Sequence, residues 1–175
     1  GELAGEAGRE AGLQQVADQA GAAWAAAAHL APGEAGQLAF DHPADGGKLA
    51  GHVGVGGFEG ADAEPIRREF GISPSDLVIG NVAVCEENKG QKTLLAGVAE
   101  LLRDYPHIQL FIVGEGPSRQ ALMEQAEKLG LRDHVHFPGF RRDVGNFLRL
   151  FDIFVMASLE EGLCTSILDA QFFSL

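Results

Sequence analysis

The chain has 175 residues, 46% of them hydrophobic, which allows one domain of ordinary size with a hydrophobic core. Its formal net charge of -12 excludes a general nucleic-acid or anionic-membrane binder, because the field of the protein would repel either partner. No apolar run reaches the roughly 18 residues of a membrane-spanning helix. The two cysteines, Cys85 and Cys164, form no disulfide or metal framework, which fits a reducing compartment.

Residues 1–62 are rich in glycine and alanine and hold 14 of the 24 glycines of the chain. Alanine favours helix, so a helix is predicted from roughly Leu13 to Leu30. The stretch from Ala31 to Gly60 has turn-forming residues and too few large apolar side chains to offset the entropy of ordering. We interpret residues 1–62 as a disordered or weakly helical leader. A second interpretation is that they do not belong to the native reading frame.

From residue 63 onward, short apolar runs alternate with helical periodicity. Strands are predicted at Leu77–Val84, Ile108–Val113, His134–Phe137 and Asp152–Ala157. Helices are predicted between Gly90 and Pro106, then with Leu122, Met123, Ala126 and Leu129 facing inward and Gly130 as the cap, then at Asp143–Leu150, and from Thr165 onward. This alternation predicts an α/β fold in which a parallel sheet has helices on both faces. In such sheets ligands bind beyond the carboxyl ends of the strands.

The loop after the fourth strand is the most informative part of that edge. Gly162 allows a ligand to approach the main chain, and Thr165 can cap the helix that follows. The free N–H groups of the first helical turn and the positive end of the helix dipole favour a phosphate. Glu161 and Asp169 bracket this turn and suit hydroxyl groups better than an anion. A sugar nucleotide carries hydroxyls on both sides of its diphosphate.

Five segments, in order, resemble the family 4 (group 1) retaining glycosyltransferases. Glu161 to Asp169 is similar to the E-x7-E signature of that family, with Asp in place of the second Glu. The other four segments are Asn88-Lys89-Gly90, Phe111 to Pro117, Val135 to Phe140 with Asp143-Val144, and Asp152 to Ser158. The similarity runs from about Glu64 to Leu175. It implies the carboxyl-terminal Rossmann-like domain of the two-domain GT-B architecture, incomplete at its carboxyl end.

The resemblance also implies roles for the matching residues. Lys89 would stabilise the charge on the leaving diphosphate and Glu161 would hold hydroxyls of the donor sugar, so these two are the catalytic candidates. The remaining donor-binding candidates are Gly114 and Gly116, which would give the nucleotide room, Phe140 and Arg141 beside the base, Gly162, Leu163, Cys164 and Thr165 around the diphosphate, and Asp169 on the ribose. No metal and no other cofactor is expected.

Three positions depart from the family pattern. Val84 stands where the family often has an arginine for the diphosphate, Cys164 replaces a usual glycine, and Asp169 is one methylene shorter than glutamate. Other interpretations of single residues stay open. Arg141 with Arg142 could be a solvated loop. His134 and His136 could suggest a metal pair, but no third ligand is evident.

The resemblance implies transfer of a hexose, with retention, from a UDP-, GDP- or ADP-sugar to a glycan or lipid-linked acceptor. Cell-surface polysaccharide or lipopolysaccharide synthesis is the usual setting, so we expect a cytoplasmic protein at the inner face of the membrane, associated with it through the missing domain. No nucleic-acid partner is expected. The chain as given is expected not to turn over. The alternatives are a GT-B-type sugar-nucleotide epimerase, which would need further acids, and a non-catalytic nucleotide-binding module.

Overall fold

The structure, a computed structural model, describes residue 58, residues 60–159 and residues 165–175. The predicted leader helix Leu13–Leu30 lies outside the described residues. Four candidate site residues lie outside them as well: Glu161, Gly162, Leu163 and Cys164.

Helices and strands alternate through the described part of the chain. The helices are α1 (Glu64–Phe70), α2 (Gln91–Leu101), α3 (Arg119–Lys128), α4 (Val144–Leu150) and α5 (Thr165–Phe172), with a 3-10 turn at Glu87–Lys89. The strands are β1 (Leu77–Val82), β2 (Ile108–Val113), β3 (Val135–Gly139) and β4 (Ile153–Phe154). They form a four-stranded sheet in the order β3-β2-β1-β4, in which every pairing is parallel. The predicted fold class is confirmed.

The centre of the sheet is buried on both faces, as parallel sheets require. β1 and β2 pair over six residues, from Leu77 with Ile108 to Val82 with Val113. Alternate side chains of these strands enter two separate cores. One core contains side chains of α2 and α3, including Leu95 and Leu122. The other contains side chains of α1, α4 and α5 around Phe111.

Aromatic rings dominate the second core. Phe111 is fully buried and meets Phe70 of α1 and Phe147 of α4 edge-on, with centroid distances of 5.2 and 5.8 Å. Such edge-to-face pairs add to the free energy of apolar burial. α1 and α4 are therefore held against the same face of the sheet, and this places α1 beside the loop that follows β3.

The helices differ from the sequence predictions in two respects. First, α1 was not predicted; it has seven residues, of which only Ile66 is buried, and it ends at Gly71, which has φ 69°. In α3 only Leu122 and Ala126 are buried, whereas Met123 and Leu129 are 37% and 40% exposed, so their predicted inward orientation is wrong. α3 packs on one side only, and an i, i+4 pair suffices for that contact.

The strands differ from the predicted ones mainly at their ends. β1 ends at Val82, and Val84 is 50% exposed. β4 has only two ladder residues, although the N–H of Val155 still donates to the carbonyl of Gly80 at 2.8 Å. β4 is an edge strand of the described sheet, so its backbone is paired on one side. Among the described helices, none is long and apolar enough to cross a membrane.

Candidate functional site

The loops after β1 and β2 pack against each other at the carboxyl edge of the sheet. The N–H of Cys85 donates to the carbonyl of Glu115 at 2.9 Å. A side chain at Gly114 would overlap the carbonyl oxygen of Ala83, and one at Gly116 would overlap that of Cys85. These glycines therefore allow one main chain to lie on the other. Their predicted contact with a nucleotide stays a prediction.

Lys89 lies at the carboxyl edge, in the loop that joins β1 to α2. It ends the 3-10 turn, and Gly90 follows with φ 64°. A side chain at Gly90 would overlap the carbonyl oxygen of Ala157, and the N–H of Leu159 donates to the carbonyl of Asn88 at 2.9 Å. The loop that carries Lys89 is therefore joined to the loop after β4. In the sequence, Leu159 is two residues before Glu161, the other catalytic candidate, which lies outside the described residues.

A pair of buried amides lies at the base of these loops. Asn81, 2% exposed, donates from Nδ2 to the carbonyl of Val155 at 2.8 Å. Gln91, 1% exposed, donates from Nε2 to the carbonyl of Val84 at 3.1 Å and to Asn81 Oδ1 at 3.4 Å. Gln91 Oε1 has no hydrogen-bond partner among the described residues. The sequence analysis missed this pair, although an asparagine inside an apolar strand was an available signal.

α5 carries two candidates on one face. Thr165 is its first residue, and Asp169 lies one turn later. The Asp169 side chain is partly buried, and burial raises the pKa of its carboxyl group. No described residue donates a hydrogen bond to it. Perturbed pKa values cluster at functional sites, so Asp169 remains a candidate for a binding role.

The loop after β3 carries Phe140 and Arg141, both predicted to lie beside a base. Phe140 is 73% exposed directly after Gly139. Arg141 instead bonds to carboxylates through four N–H groups: two donate to Glu69 of α1 at 2.7 and 3.0 Å, and two donate to Asp143 at 2.8 Å each. The guanidinium also lies 5.0 Å from the ring centroid of Phe147. The structure thus gives Arg141 partners other than the predicted ligand, whereas Arg142 is exposed.

A second arginine joins the loop after β2 to the end of β3. Arg119 Nη2 donates to the carbonyl of Phe137 at 2.8 Å, and its Nε lies 3.6 Å from Glu115 Oε1. The N–H of Gly114 donates to the carbonyl of Gly139 at 2.9 Å. The four loops at the carboxyl edge are therefore linked in the spatial order of their strands. The loop after β4 contacts the loop after β1, the loop after β1 contacts the loop after β2, and the loop after β2 contacts the end of β3.

The two histidines of β3 have structural partners. The His134 Nδ1 is 3.0 Å from the carbonyl oxygen of Ile108, and the His136 Nε2 is 2.8 Å from Gln109 Oε1. The His136 ring also stacks on Phe111, and burial lowers its pKa. Within the described ranges, no group of three His, Cys, Asp or Glu side chains could hold a metal ion.

Comparison with known proteins agrees with the observed fold. The D-inositol 3-phosphate glycosyltransferase of Segniliparus rotundus is 37% identical over 109 residues, which cover 58% of this chain and 24% of that protein. WaaG, a glycosyltransferase involved in lipopolysaccharide biosynthesis, has a crystal structure that matches with a TM-score of 0.55 and 28% identity, over 63% of this chain and 30% of that one.

A third match is Anabaena HepE in complex with UDP-glucose, with a TM-score of 0.58 and 25% identity, over 65% of this chain and 32% of that one. The chain spans less than a third of each of these proteins. Residues 62–175 match the family model described as glycosyl transferases group 1. The chain therefore belongs to the group 1 glycosyltransferases, as a carboxyl-terminal domain of their GT-B fold.

Proposed function

We propose that residues 63–175 form the donor-binding part of a retaining glycosyltransferase. The whole enzyme would move a hexose from a nucleotide sugar to a glycan or lipid-linked acceptor in the synthesis of cell-surface polysaccharide or lipopolysaccharide. Membership of the group 1 family supports the transferase class. The observation that carries the proposal is the junction of the Lys89 loop with the segment that leads to Glu161, through Gly90, Ala157 and Leu159.

In this proposal the diphosphate of the donor binds between Lys89 and the amino end of α5. Lys89 supplies the positive charge, and the first turn of α5, which begins at Thr165, supplies N–H groups and the positive end of its dipole. Charge builds up on the diphosphate as the bond to the sugar breaks. A cation already in place lowers the free energy of that transition state, so Lys89 acts without a metal ion.

Asp169 and Glu161 would bind hydroxyl groups on opposite sides of the diphosphate. The Asp169 carboxylate is partly desolvated and accepts no hydrogen bond from the described residues, so ribose hydroxyls would supply the missing donors. Glu161 would bind the donor sugar. Replacing the two acids should therefore have separable effects. Loss of Asp169 should lower the affinity for every nucleotide, whereas loss of Glu161 should lower only the part of the affinity that the donor sugar contributes.

Calorimetry of the 175-residue chain tests the proposal with UDP and UDP-glucose, and with the GDP and ADP counterparts. Glu161→Ala should retain affinity for the nucleoside diphosphate and lose the added affinity for the sugar nucleotide. Asp169→Ala should weaken both ligands by roughly tenfold or more, the cost of a hydrogen bond to a charged group. Asp133→Ala is the control, because Asp133 is exposed and lies before β3, at the opposite edge of the sheet.

Unchanged binding in both Glu161→Ala and Asp169→Ala would refute the proposal. It would favour the alternative of a non-catalytic nucleotide-binding module that does not use these two acids. The epimerase alternative requires the complete enzyme. Consumption of a labelled sugar nucleotide without any acceptor would favour the epimerase over the transferase.

A further inference from the structure

The side chain of Gln91 closes the loop that carries Lys89. Gln91 is the first residue of α2, and its Nε2 donates to the carbonyl of Val84, at the other end of the loop, at 3.1 Å. Lys89 lies between these two residues in the sequence, and its N–H donates to the carbonyl of Glu86 at 3.1 Å. The β1–α2 loop is therefore a hydrogen-bonded ring of chain, and the amide of Gln91 is its closing contact.

The same amide joins this loop to the chain after β4. Gln91 Nε2 donates to Asn81 Oδ1 at 3.4 Å, and Asn81 Nδ2 donates to the carbonyl of Val155 at 2.8 Å. Val155 is two residues before Ala157, whose carbonyl oxygen lies against Gly90. Two buried amides and one main-chain contact thus hold the loop and the chain after β4 in a single relative position.

Stability alone is a poor explanation for an amide at position 91. Gln91 is 1% exposed and Asn81 is 2% exposed, and Gln91 Oε1 has no hydrogen-bond partner among the described residues. Burial of a polar atom without a partner costs free energy, and apolar side chains of similar shape would avoid that cost. Buried hydrogen-bond networks do, however, fix one arrangement of the chain. We therefore look for the role of Gln91 in the position that it gives to the loop.

The attraction between a lysine and a diphosphate depends on their separation, so a small displacement of the loop changes the affinity. We propose that Gln91 is a positioning residue: its amide, braced by Asn81, fixes the β1–α2 loop so that Lys89 reaches the diphosphate of the donor. The inference rests on the proposed function, because it requires a diphosphate beside Lys89. Gln91 itself is buried below the loop, and its effect on binding passes through Lys89.

A double-mutant cycle tests this dependence, by calorimetry of the 175-residue chain with inorganic pyrophosphate and with UDP. Gln91→Met keeps the length of the side chain and removes the Nε2 donor. It should weaken both ligands by about threefold to tenfold, within the range of coupling between residues that act together. In a Lys89→Met background the same substitution should weaken them no further, because the cation that Gln91 positions is absent.

Gln125→Met is the matched control. Gln125 Nε2 also donates to a main-chain carbonyl at the start of α2, that of Lys92 at 2.9 Å, but it does so from α3 in an exposed hydrogen bond. Its loss should leave both affinities unchanged. If Gln91→Met fails to fold, Gln91→Asn carries the test, because the shorter side chain retains an amide but cannot reach Val84 and Asn81 together.

Unchanged affinity in Gln91→Met, where Lys89→Met weakens both ligands, would overturn the inference while the proposed function stands. An equal loss in the wild-type and Lys89→Met backgrounds would also overturn it, since Gln91 would then act on the fold in general and not through Lys89. A wild-type chain that binds neither ligand, or a Lys89→Met chain that binds both as tightly as the wild type, would instead contradict the proposed function.

Discussion

Replacement of Gly90 by alanine tests the junction between the Lys89 loop and the loop after β4. Gly90 has φ 64°, a conformation that costs an L-residue about 1–2 kcal/mol. The added methyl group would also overlap the carbonyl oxygen of Ala157, which is main chain and cannot rotate away. Forced shifts of this kind cost about 1–3 kcal/mol. We therefore expect Gly90→Ala to lower the free energy of unfolding by about 2–5 kcal/mol.

Gly71→Ala is a matched control for the conformational part of this cost. Gly71 has φ 69°, close to that of Gly90, but a methyl group there would meet no atom within 4 Å. It should cost only the about 1–2 kcal/mol of the left-handed conformation. The difference between the two variants measures the close approach of Gly90 to Ala157.

Urea unfolding of both variants and the wild type gives these free energies, and equal m-values would show that the unfolded states are comparable. Gly90→Ala should also weaken pyrophosphate binding, because it displaces the loop that carries Lys89, whereas Gly71→Ala should not. Equal destabilisation by the two substitutions would refute the reasoning, since it would mean that the main chains at Gly90 and Ala157 are not in contact.

Two further predictions concern titratable side chains. Burial raises the pKa of Asp169, so the ionised carboxylate lowers the stability of the fold at neutral pH. Asp169→Asn should therefore leave the urea midpoint unchanged or raise it. The affinity for nucleotides, measured by calorimetry, should fall. Lower urea stability in Asp169→Asn would contradict this. Burial lowers the pKa of His136, so the unfolded chain takes up a proton first as the pH falls below about 6.5. The contribution of neutral His136 to stability should therefore be complete above that pH and lost below it. His136→Gln should show a smaller fall in urea midpoint between pH 7.5 and 5.5 than the wild type. An equal fall in both proteins would exclude His136 as the source of this pH dependence.

The sequence predicted the type and order of the elements from β1 to α5. Each strand is a short apolar run, each long helix has its own periodicity, and these signals are local. The five segments that resemble the group 1 family are also contiguous stretches, so the family could be identified without a structure. α1 was not predicted because it has seven residues and one buried side chain, which are too few to show the hydrophobic periodicity of a helix.

The sequence by itself determined the class of fold, the family and the edge of the sheet at which the candidate residues lie. The tertiary structure decided which residues meet there. Glu69 and Arg141 are 72 positions apart, and Asn81 and Val155 are 74 apart, so no local pattern relates them. Arg141, predicted to lie beside a base, bonds to two carboxylates because packing of α1 against α4 brings Glu69 to it. Side-chain type and spacing specify local conformation, whereas contacts across the sheet depend on how the two cores bring separate elements together.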